Sequence, residues 1–269
     1  MKKLRILLTS VTLCMCLLLS GVLTQDVQAK DHQSKLDEII ARGYILVGST
    51  GDYKPMSYLN KDTGKYEGFD VALAENLAKS LGVEVKFVAT SWPNLMKDTL
   101  AGKFDIAMCG ISRTTSRAQK AALSHGYVVN GKTVLMRAAD AKKYTDLDSI
   151  NRPEVRVMVN PGGSNEKFAH ANLSKATLIV HNFNAEIPGL IAEGKADIMV
   201  TENIEALKYT REDARLAAPL INNLFTKSEF GIMLQRGDQE FLNYINFWME
   251  DLKLTGQMQE LENQYIWKK

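Results

Sequence analysis

Cysteine is scarce in this sequence, which limits how the fold can be stabilised. The 269 residues include three cysteines, and two of them, Cys14 and Cys16, lie in an apolar stretch at the start of the chain. If that stretch is removed, Cys109 is the only cysteine left, so neither an intramolecular disulfide nor a thiolate metal cluster can form. The fold must therefore rely on burial of apolar side chains, and 45% of the residues are hydrophobic.

Long apolar runs are also few, and the one that stands out covers residues 6–22. It follows a basic start and leads to small residues at positions 27–29. This order is typical of a secretory signal peptide, and the run is short for a membrane span, which needs about 20 residues. We predict a signal peptide over residues 1–29, cleaved after Ala29. The mature protein would then be periplasmic or secreted, without stable membrane association.

The mature chain lacks a charge excess of either sign. Loss of residues 1–29 removes three basic residues and one acidic residue, which brings the net charge close to zero. No basic run with interleaved aromatics is present, so a nucleic-acid partner is not expected. His125, His170 and His181 lack metal-ligand spacing, and we assign none of them to a metal. A small molecule is the expected partner, and nothing in the sequence indicates an oligomeric state.

What the sequence does contain is a β-α-β-α-β order that occurs twice. The first set is Tyr44–Val47, Phe69–Leu81, Val83–Val88, Trp92–Leu100 and Ile106–Met108, and the second is Val155–Val159, Asn165–Asn172, Leu178–Val180, Ile187–Glu193 and Ile198–Val200. This order predicts an α/β protein with two lobes, each a parallel sheet flanked by helices. A short internal echo supports it, since LAGKFDIAM (100–108) and IAEGKADIM (191–199) fall at equivalent places in the two sets.

Two β-like segments, Gly131–Asp140 and Ser228–Asp238, are predicted to cross between the lobes as a pair. Lobe 1 would comprise residues 30–132 and 233–269, and lobe 2 residues 133–232. A final helix, Gln239–Tyr265, carries an apolar stripe that must cover an existing lobe. Two lobes joined by a two-strand hinge form a cleft, which is a favoured place for a ligand.

Candidate site residues follow the first two strands, because open α/β sheets bind ligands outside the carboxyl ends of their strands. Asp52, Tyr53 and Lys54 form a polar, aromatic and cationic group after the first strand. The alternative is a solvated turn. Trp92 follows the second strand and either lines the cleft or anchors its helix in the core.

The third strand is followed by GISRTTSR (110–117). Gly110 would allow a close backbone approach, and Ser112 offers a hydroxyl. Arg117 offers a planar fork that suits a carboxylate. Arg113 competes with Arg117 for this role on chemistry alone.

The stretch NPGGSNEKF (160–168) ends the first strand of lobe 2 and leads into a helix. The backbone N–H groups of Gly163, Ser164 and Asn165, together with the helix dipole, would favour an anion there. Glu166 has two interpretations. It is either a first-turn residue that suits the dipole or an acid directed at a substrate. A capping box does not account for it, because the residue three positions earlier is Gly163.

Several motifs resemble a known family. The segments GISRTTSR and FWMEDLKLTGQMQELENQYI resemble the periplasmic solute-binding fold of polar amino-acid transporters (type II). Longer motifs in both lobes are similar to those of exported cyclohexadienyl dehydratases, namely TGDYKPMSY, TSWPNLM, FDIAMCGIS and VNPGGSNEKFAHANL. The resemblance implies conversion of prephenate to phenylpyruvate and of L-arogenate to L-phenylalanine, without a cofactor.

The resemblance also implies roles for particular residues. Gly110, Ser112 and Arg117 would hold a carboxylate, and Glu166 would be the general acid, buried in the interlobe cleft. Glu202 stands where amino-acid binders usually have an Asp that pairs with the ligand's α-amino group. The alternative function is a non-catalytic receptor that delivers an amino acid to a membrane transporter.

Overall fold

A computed structural model describes residues 34–268, and the predicted signal peptide lies outside this range. The strands are β1 (Tyr44–Ser49), β2 (Asp52–Tyr53), β3 (Ser57–Leu59), β4 (Tyr66–Glu67), β5 (Glu84–Ala89), β6 (Ile106–Ala107), β7 (Ala122–Leu123), β8 (Val128–Asn130), β9 (Lys132–Arg137), β10 (Arg156–Val159), β11 (Thr177–Val180), β12 (Ile198–Glu202), β13 (Leu216–Ala217), β14 (Ser228–Phe230) and β15 (Met233–Leu234). The helices are α1 (Lys35–Arg42), α2 (Phe69–Ser80), α3 (Leu95–Leu100), α4 (Thr115–Ala118), α5 (Leu147–Ile150), α6 (Ser164–Asn172), α7 (Ile187–Ala192), α8 (Asn203–Glu212), α9 (Gln239–Leu254) and α10 (Gln257–Glu262). No helix within the described range is long and apolar enough to cross a membrane.

Two five-stranded sheets organise the chain. The sheet of lobe 1 has the order β5-β1-β6-β15-β7, and the sheet of lobe 2 has the order β11-β10-β12-β9-β13. Between them in the chain, β8 and β14 pair with each other in antiparallel fashion. A small three-stranded sheet, β2-β3-β4, follows β1.

Each sheet is mixed, so the expectation of purely parallel sheets was wrong. In lobe 1, β1, β5 and β6 are parallel, whereas β15 runs antiparallel to β6 and β7. In lobe 2, β9 runs antiparallel to β12 and β13. The reason is the crossing of the chain. A strand that arrives from the other lobe enters the sheet at the carboxyl ends of the parallel strands, so it runs antiparallel to them.

Two of the expected helices have different bounds. The helix predicted over 92–100 begins only at Leu95, because the carbonyl of Ser91 accepts hydrogen bonds from the N–H groups of Asn94 and Leu95 and closes a turn first. The final helix is not continuous to Tyr265, since α9 ends at Leu254 and the chain turns through Gly256 before α10.

Both faces of each sheet are buried. In lobe 1 one face packs against α2 and α9, with Ile45, Leu73 and Ile245 among the buried side chains, and the other packs against α3. In lobe 2 separate apolar clusters cover the two faces of the sheet. Helix α9 therefore covers lobe 1, as its apolar stripe requires.

The two similar segments of the sequence, residues 100–108 and 191–199, also have similar contacts in the structure. Asp105, just before β6, accepts a hydrogen bond from the backbone N–H of Leu46 (2.7 Å) and pairs with Arg42. Asp197, just before β12, accepts one from the backbone N–H of Arg156 (3.0 Å) and also pairs with that arginine's guanidinium. In both lobes an aspartate thus fastens the central strand to its parallel neighbour.

Asp70 in α2 fixes the loop after β6. Its carboxylate is fully buried and accepts hydrogen bonds from the backbone N–H of Gly110 (2.5 Å) and the hydroxyl of Tyr127 (2.9 Å). Desolvation raises the pKa of Asp70 to about 7, although these two hydrogen bonds oppose the shift. The carboxyl that supports Gly110 therefore ionises near neutral pH.

The first prediction concerns the pH dependence of stability. The pKa of Asp70 is higher in the folded state than the value of about 3.9 expected in the unfolded chain. The folded protein therefore holds the extra proton between about pH 4 and pH 7, and its stability falls as pH rises through that range. In this range Asp70 makes the free energy of unfolding fall by at most about 1.4 kcal/mol per pH unit, and Asp70→Asn should remove that dependence.

The measurement is urea unfolding of both proteins at pH 5 and pH 7.5. Asp213→Asn is the matched control, because the pKa of Asp213 is lowered by its hydrogen bonds to Arg215, so it titrates below this window. Parallel pH profiles for the wild type and Asp70→Asn would contradict the assignment.

Candidate functional site

A cavity of about 260 Å³ lies between the two lobes, beside the carboxyl end of β12. Pockets for drug-sized ligands usually measure about 300–1,000 Å³, so this one suits a smaller molecule. Lobe 1 contributes Ser112 and Arg117 to its lining, and lobe 2 contributes Ser164, Lys167 and Glu202. A second space of only about 10 Å³ adjoins it, bounded by Tyr53, Trp92, Gly110, Asn160, Gly163, Ser164, Asn165, Asn184 and Glu202.

Glu202 lies at the centre of the site. Its side chain is buried, and Oε2 accepts a hydrogen bond from the hydroxyl of Tyr53 (2.7 Å). Oε1 pairs with the ammonium of Lys132 and also lies 3.3 Å from the hydroxyls of Ser112 and Ser164. Both carboxylate oxygens therefore accept hydrogen bonds, and their partners taken together come from both lobes.

The charge of Glu202 is held by its neighbours. Burial acts to raise the pKa of Glu202, but the charge of Lys132 and the hydrogen bonds from Lys132 and Tyr53 outweigh it, so the pKa is lowered. Glu205, one turn further along α8, has no cation bonded to it among the described residues, and burial raises its pKa well above the usual value. The pKa values of the two neighbouring acids are thus shifted in opposite directions, down for Glu202 and up for Glu205.

The residues after β1 form a wall of the site. Tyr53 is buried and meets Trp92 edge to face, with ring centroids 5.8 Å apart. The indole N–H of Trp92 donates to Asp52 (3.0 Å), and the backbone carbonyl of Asp52 accepts from Asn184 of lobe 2 (3.1 Å). Burial also raises the pKa of Asp52. Trp92 lines the smaller space and also packs on the apolar core of lobe 1.

Gly110 must be a glycine for two reasons. Its φ of 71° lies in the left-handed region, and a Cβ there would come within 2.4 Å of the Tyr53 ring. Ser112, two residues on, is buried, and its hydroxyl accepts a hydrogen bond from Asn130 (3.3 Å). The loop after β6 is therefore packed closely under the cavity.

The structure separates the two candidate arginines. Arg113 forms an ion pair with Glu229 (2.7 Å) and lines a larger hollow of about 620 Å³ on lobe 1, away from the Glu202 group. Arg117 lines the interlobe cavity, and its guanidinium donates to the backbone carbonyl of Ser112 (2.7 Å). Within residues 34–268, no carboxylate forms an ion pair with Arg117. We regard the smaller interlobe cavity as the candidate site, because the buried charged groups are there.

The start of α6 supplies the lobe 2 side of the cavity. Gly163 precedes the first turn, and the side chains of Ser164 and Asn165 both accept hydrogen bonds from Lys132. Lys167 and Phe168 complete this side, and the Phe168 ring stacks on Phe225 with centroids 5.8 Å apart. The cavity thus has an apolar ring face beside its charged groups.

Two of the residues expected at the site lie elsewhere. The ammonium of Lys54 sits over the Tyr58 ring (4.5 Å) and near Glu212 (3.9 Å), beside a different hollow. Glu166 is only half-buried, and its carboxylate accepts a hydrogen bond from the backbone N–H of Gly162 (2.7 Å). The expectation that Glu166 is buried was therefore wrong. Its side chain folds back onto its own helix start and lines neither interlobe space.

Lys132 is a site residue that the sequence patterns missed. It is the first residue of β9 and lies directly opposite Glu202 in the antiparallel β9–β12 ladder. The only available signal was its position at the expected hinge, since nothing local in VVNGKTV distinguishes this lysine from a surface residue. The pairing becomes visible only when the register of the two strands is known.

The two lobes are closed on each other around these groups. Gly162, with φ of 77°, lies against Pro93 of lobe 1, so that a Cβ at Gly162 would fall 2.5 Å from the Pro93 Cα. A small anion held between Arg117 and the start of α6 would be shielded from water, which strengthens its electrostatic interactions. Among the described residues, no three His, Cys, Asp or Glu side chains are grouped so as to hold a metal ion.

Comparison with known proteins shows which family the sequence matches. Residues 45–268 match the family described as bacterial extracellular solute-binding proteins, family 3. The chain is 41% identical to the cyclohexadienyl dehydratase of Pseudomonas aeruginosa over 94% of this chain and 93% of that protein. It is 23% identical to an L-cystine-binding protein of Escherichia coli (strain K12), over 89% of each chain.

Solved structures with a similar fold include related proteins. An ancestral amino acid-binding protein, described as a precursor of cyclohexadienyl dehydratase, has a TM-score of 0.80 and 36% identity, with 87% of this chain and 99% of that chain covered. An ancestral cyclohexadienyl dehydratase is 52% identical with a TM-score of 0.54, covering 87% and 96%. These matches confirm the type II periplasmic-binding-protein-like fold, and the chain belongs to the bacterial extracellular solute-binding proteins, family 3.

Proposed function

We propose that this protein is an exported cyclohexadienyl dehydratase that converts prephenate to phenylpyruvate and L-arogenate to L-phenylalanine. The observation that carries the proposal is the 41% identity, over nearly the full length of both chains, to a cyclohexadienyl dehydratase. The composition of the cavity supports it. Arg117, Lys132 and Lys167 line the cavity with a single carboxylate, Glu202, which is already paired. Such surroundings suit an anionic ligand.

The proposed reaction needs an oriented substrate and one proton. Prephenate has a ring carboxylate, a side-chain carboxylate and a ring hydroxyl. The bond between the ring and its carboxylate breaks, CO₂ leaves, and the electron pair moves through the ring to expel the hydroxyl. That hydroxyl takes up a proton and departs as water, which leaves an aromatic ring. The protein therefore has to hold the anion, exclude bulk water and supply the proton.

The side chains at the cavity divide these tasks. Arg117 can hold one carboxylate in its guanidinium fork, and the N-terminal amides of α6 can hold the other anionic group. The ring of Phe168 can pack on the substrate ring. Closure of the lobes over the bound anion orients the scissile bond.

We assign the proton donor to Glu166. It lies in the first turn of α6, two residues after Ser164 and one before Lys167, both of which line the cavity. Its carboxylate accepts one hydrogen bond, from the backbone N–H of Gly162 near the surface. A single hydrogen bond to a charged group contributes about 1.5–3 kcal/mol net, which contacts with a bound substrate can offset, so the side chain can turn into the cavity.

A second prediction tests this role. Glu166→Gln keeps an amide oxygen that can accept the Gly162 hydrogen bond, so the helix start should be preserved, but it cannot donate the proton. We expect kcat with prephenate to fall roughly 10²–10⁴-fold with little change in KM, as is typical for loss of a general acid. The measurement is phenylpyruvate formation followed by absorbance. Glu154→Gln, an exposed glutamate of the same lobe, is the control and should retain full activity.

If Glu166→Gln turned over prephenate at the wild-type rate, Glu166 would not be the acid. The dehydratase proposal itself would survive that result, because it depends on turnover by the wild-type protein.

A third prediction concerns the carboxylate site. Arg117→Lys keeps the charge but loses the two-pronged geometry of the guanidinium. We expect KM for prephenate to rise about tenfold or more, which corresponds to the loss of one hydrogen bond to a charged group at ~1.5 kcal/mol. Arg113→Lys is the matched control, since Arg113 pairs with Glu229 outside the cavity. A larger effect for Arg113→Lys than for Arg117→Lys would reverse the assignment.

The alternative is a transport receptor for an amino acid. The observation in its favour is the TM-score of 0.80 and 36% identity to an ancestral amino acid-binding protein. Purified protein incubated with prephenate, and separately with L-arogenate, distinguishes the two functions. Formation of phenylpyruvate or phenylalanine supports the dehydratase. No turnover, together with tight calorimetric binding of an intact amino acid, would establish the receptor instead.

A further inference from the structure

The ammonium of Lys132 has a complete set of partners. Its Nζ donates to the hydroxyl of Ser164 (2.8 Å), to the side-chain oxygen of Asn165 and to the carboxylate of Glu202. An ammonium group has three N–H donors, so these three oxygens satisfy it fully. The side chain is 8% exposed, which places the cationic head group inside the interlobe site.

The partner carboxylate already accepts hydrogen bonds from four groups. Glu202 is 4% exposed, and its second oxygen accepts the Tyr53 hydroxyl at 2.7 Å. Its first oxygen is shared between Lys132 and two serine hydroxyls. A ligand ammonium that took Glu202 as its partner in place of Lys132 would leave a buried lysine unpaired, which is strongly unfavourable in comparable buried pairs.

The rest of the cavity lining does not offer a substitute. Of the residues that line the cavity, Glu202 is the only one with a carboxylate, and the two remaining cations are Arg117 and Lys167. A ligand with an α-ammonium would bring a further positive charge to a cavity whose lining already has more cations than carboxylates. A ligand with a carbonyl at the same carbon would bring no charge and would present an oxygen that can accept a hydrogen bond.

We propose that Lys132 occupies the place of a substrate ammonium and makes the site selective for 2-oxo acids over the corresponding 2-amino acids. Lys132 is thus a specificity-determining residue. Resting on the proposed dehydratase activity, this selectivity means that prephenate is the preferred substrate and L-arogenate the poorer one. The selectivity is a property of binding, so it can be tested apart from turnover.

The first test uses the wild-type protein and no catalysis. Phenylpyruvate and L-phenylalanine share the ring and the carboxylate and differ only in the group on the α-carbon. Calorimetric titration should show phenylpyruvate binding at least tenfold more tightly. The same comparison with 2-oxoglutarate and L-glutamate covers the case in which the dehydratase proposal fails. Amino acids that bind as tightly as the oxo acids in both pairs, or no binding of either oxo acid, would overturn the inference.

The second test moves the selectivity by mutation. Lys132→Met removes the ammonium and frees Glu202 for a substrate ammonium. The ratio of kcat/KM for prephenate to that for L-arogenate should be at least 10 in the wild type and should fall at least tenfold in the variant. Adding Glu202→Gln to Lys132→Met removes the freed carboxylate, so the gain toward L-arogenate should be lost again.

Lys167→Met is the matched control, because Lys167 lines the same cavity but is exposed and makes no contact with Glu202. Lys167→Met lowers the positive charge of the cavity without freeing the Glu202 carboxylate. Its ratio of kcat/KM for prephenate to that for L-arogenate should therefore change less than the ratio of Lys132→Met. An unchanged ratio in Lys132→Met, or an equal shift in Lys167→Met, would contradict the inference. If Lys132→Met does not fold, the wild-type titrations still decide the question.

Discussion

The buried ion pair between Lys132 and Glu202 is the interaction around which the interlobe site is arranged. The two residues face each other across the β9–β12 ladder, and β9 is the strand by which the chain enters lobe 2. A buried carboxylate without a cation would be strongly unfavourable, and so would a buried lysine. The ion pair therefore requires the register of β9 on β12 that places Lys132 opposite Glu202. Lys132 also donates to Ser164, so the same lysine positions the start of α6. Tyr53 extends this link to lobe 1.

The pair also explains how a site that suits an anion can contain an acidic residue. Glu202 is neutralised within the site, so the charge that a ligand meets is that of Arg117 and Lys167. Glu205, the next acid along α8, accepts hydrogen bonds from Asn184 and Thr201, and burial raises its pKa well above the usual value. Under the proposed function, a dianionic substrate would therefore meet Glu202 as one half of an ion pair and not as an isolated negative charge.

Glu166 shows how a residue can be recognised by its motif and yet adopt an unexpected conformation. The sequence lacks a capping box, because position 163 is glycine, but it was the resemblance to exported cyclohexadienyl dehydratases that favoured a role as an acid. In the structure the side chain nevertheless reaches back to the N–H of Gly162, a donor one residue earlier than the capping-box rule considers. A carboxylate at a helix start finds some backbone N–H whenever no ligand competes for it. The proposed role of Glu166 therefore depends on a bound substrate.

The sequence by itself determined the two α/β lobes, the order of their strands and helices, and the grouping of polar residues after β1, β6 and β10. These features follow from local patterns, because apolar periodicity and the strand-end rule act within short segments. Only the tertiary structure decided that the sheets are mixed, that Arg117 rather than Arg113 lines the interlobe cavity, and that Lys54 points elsewhere. It alone revealed Lys132, whose partner is 70 residues away. The reason is that the register between distant strands fixes which charges are buried together. Strands β9 and β12 are buried on both faces, so they lack the alternating apolar pattern from which a register can be read.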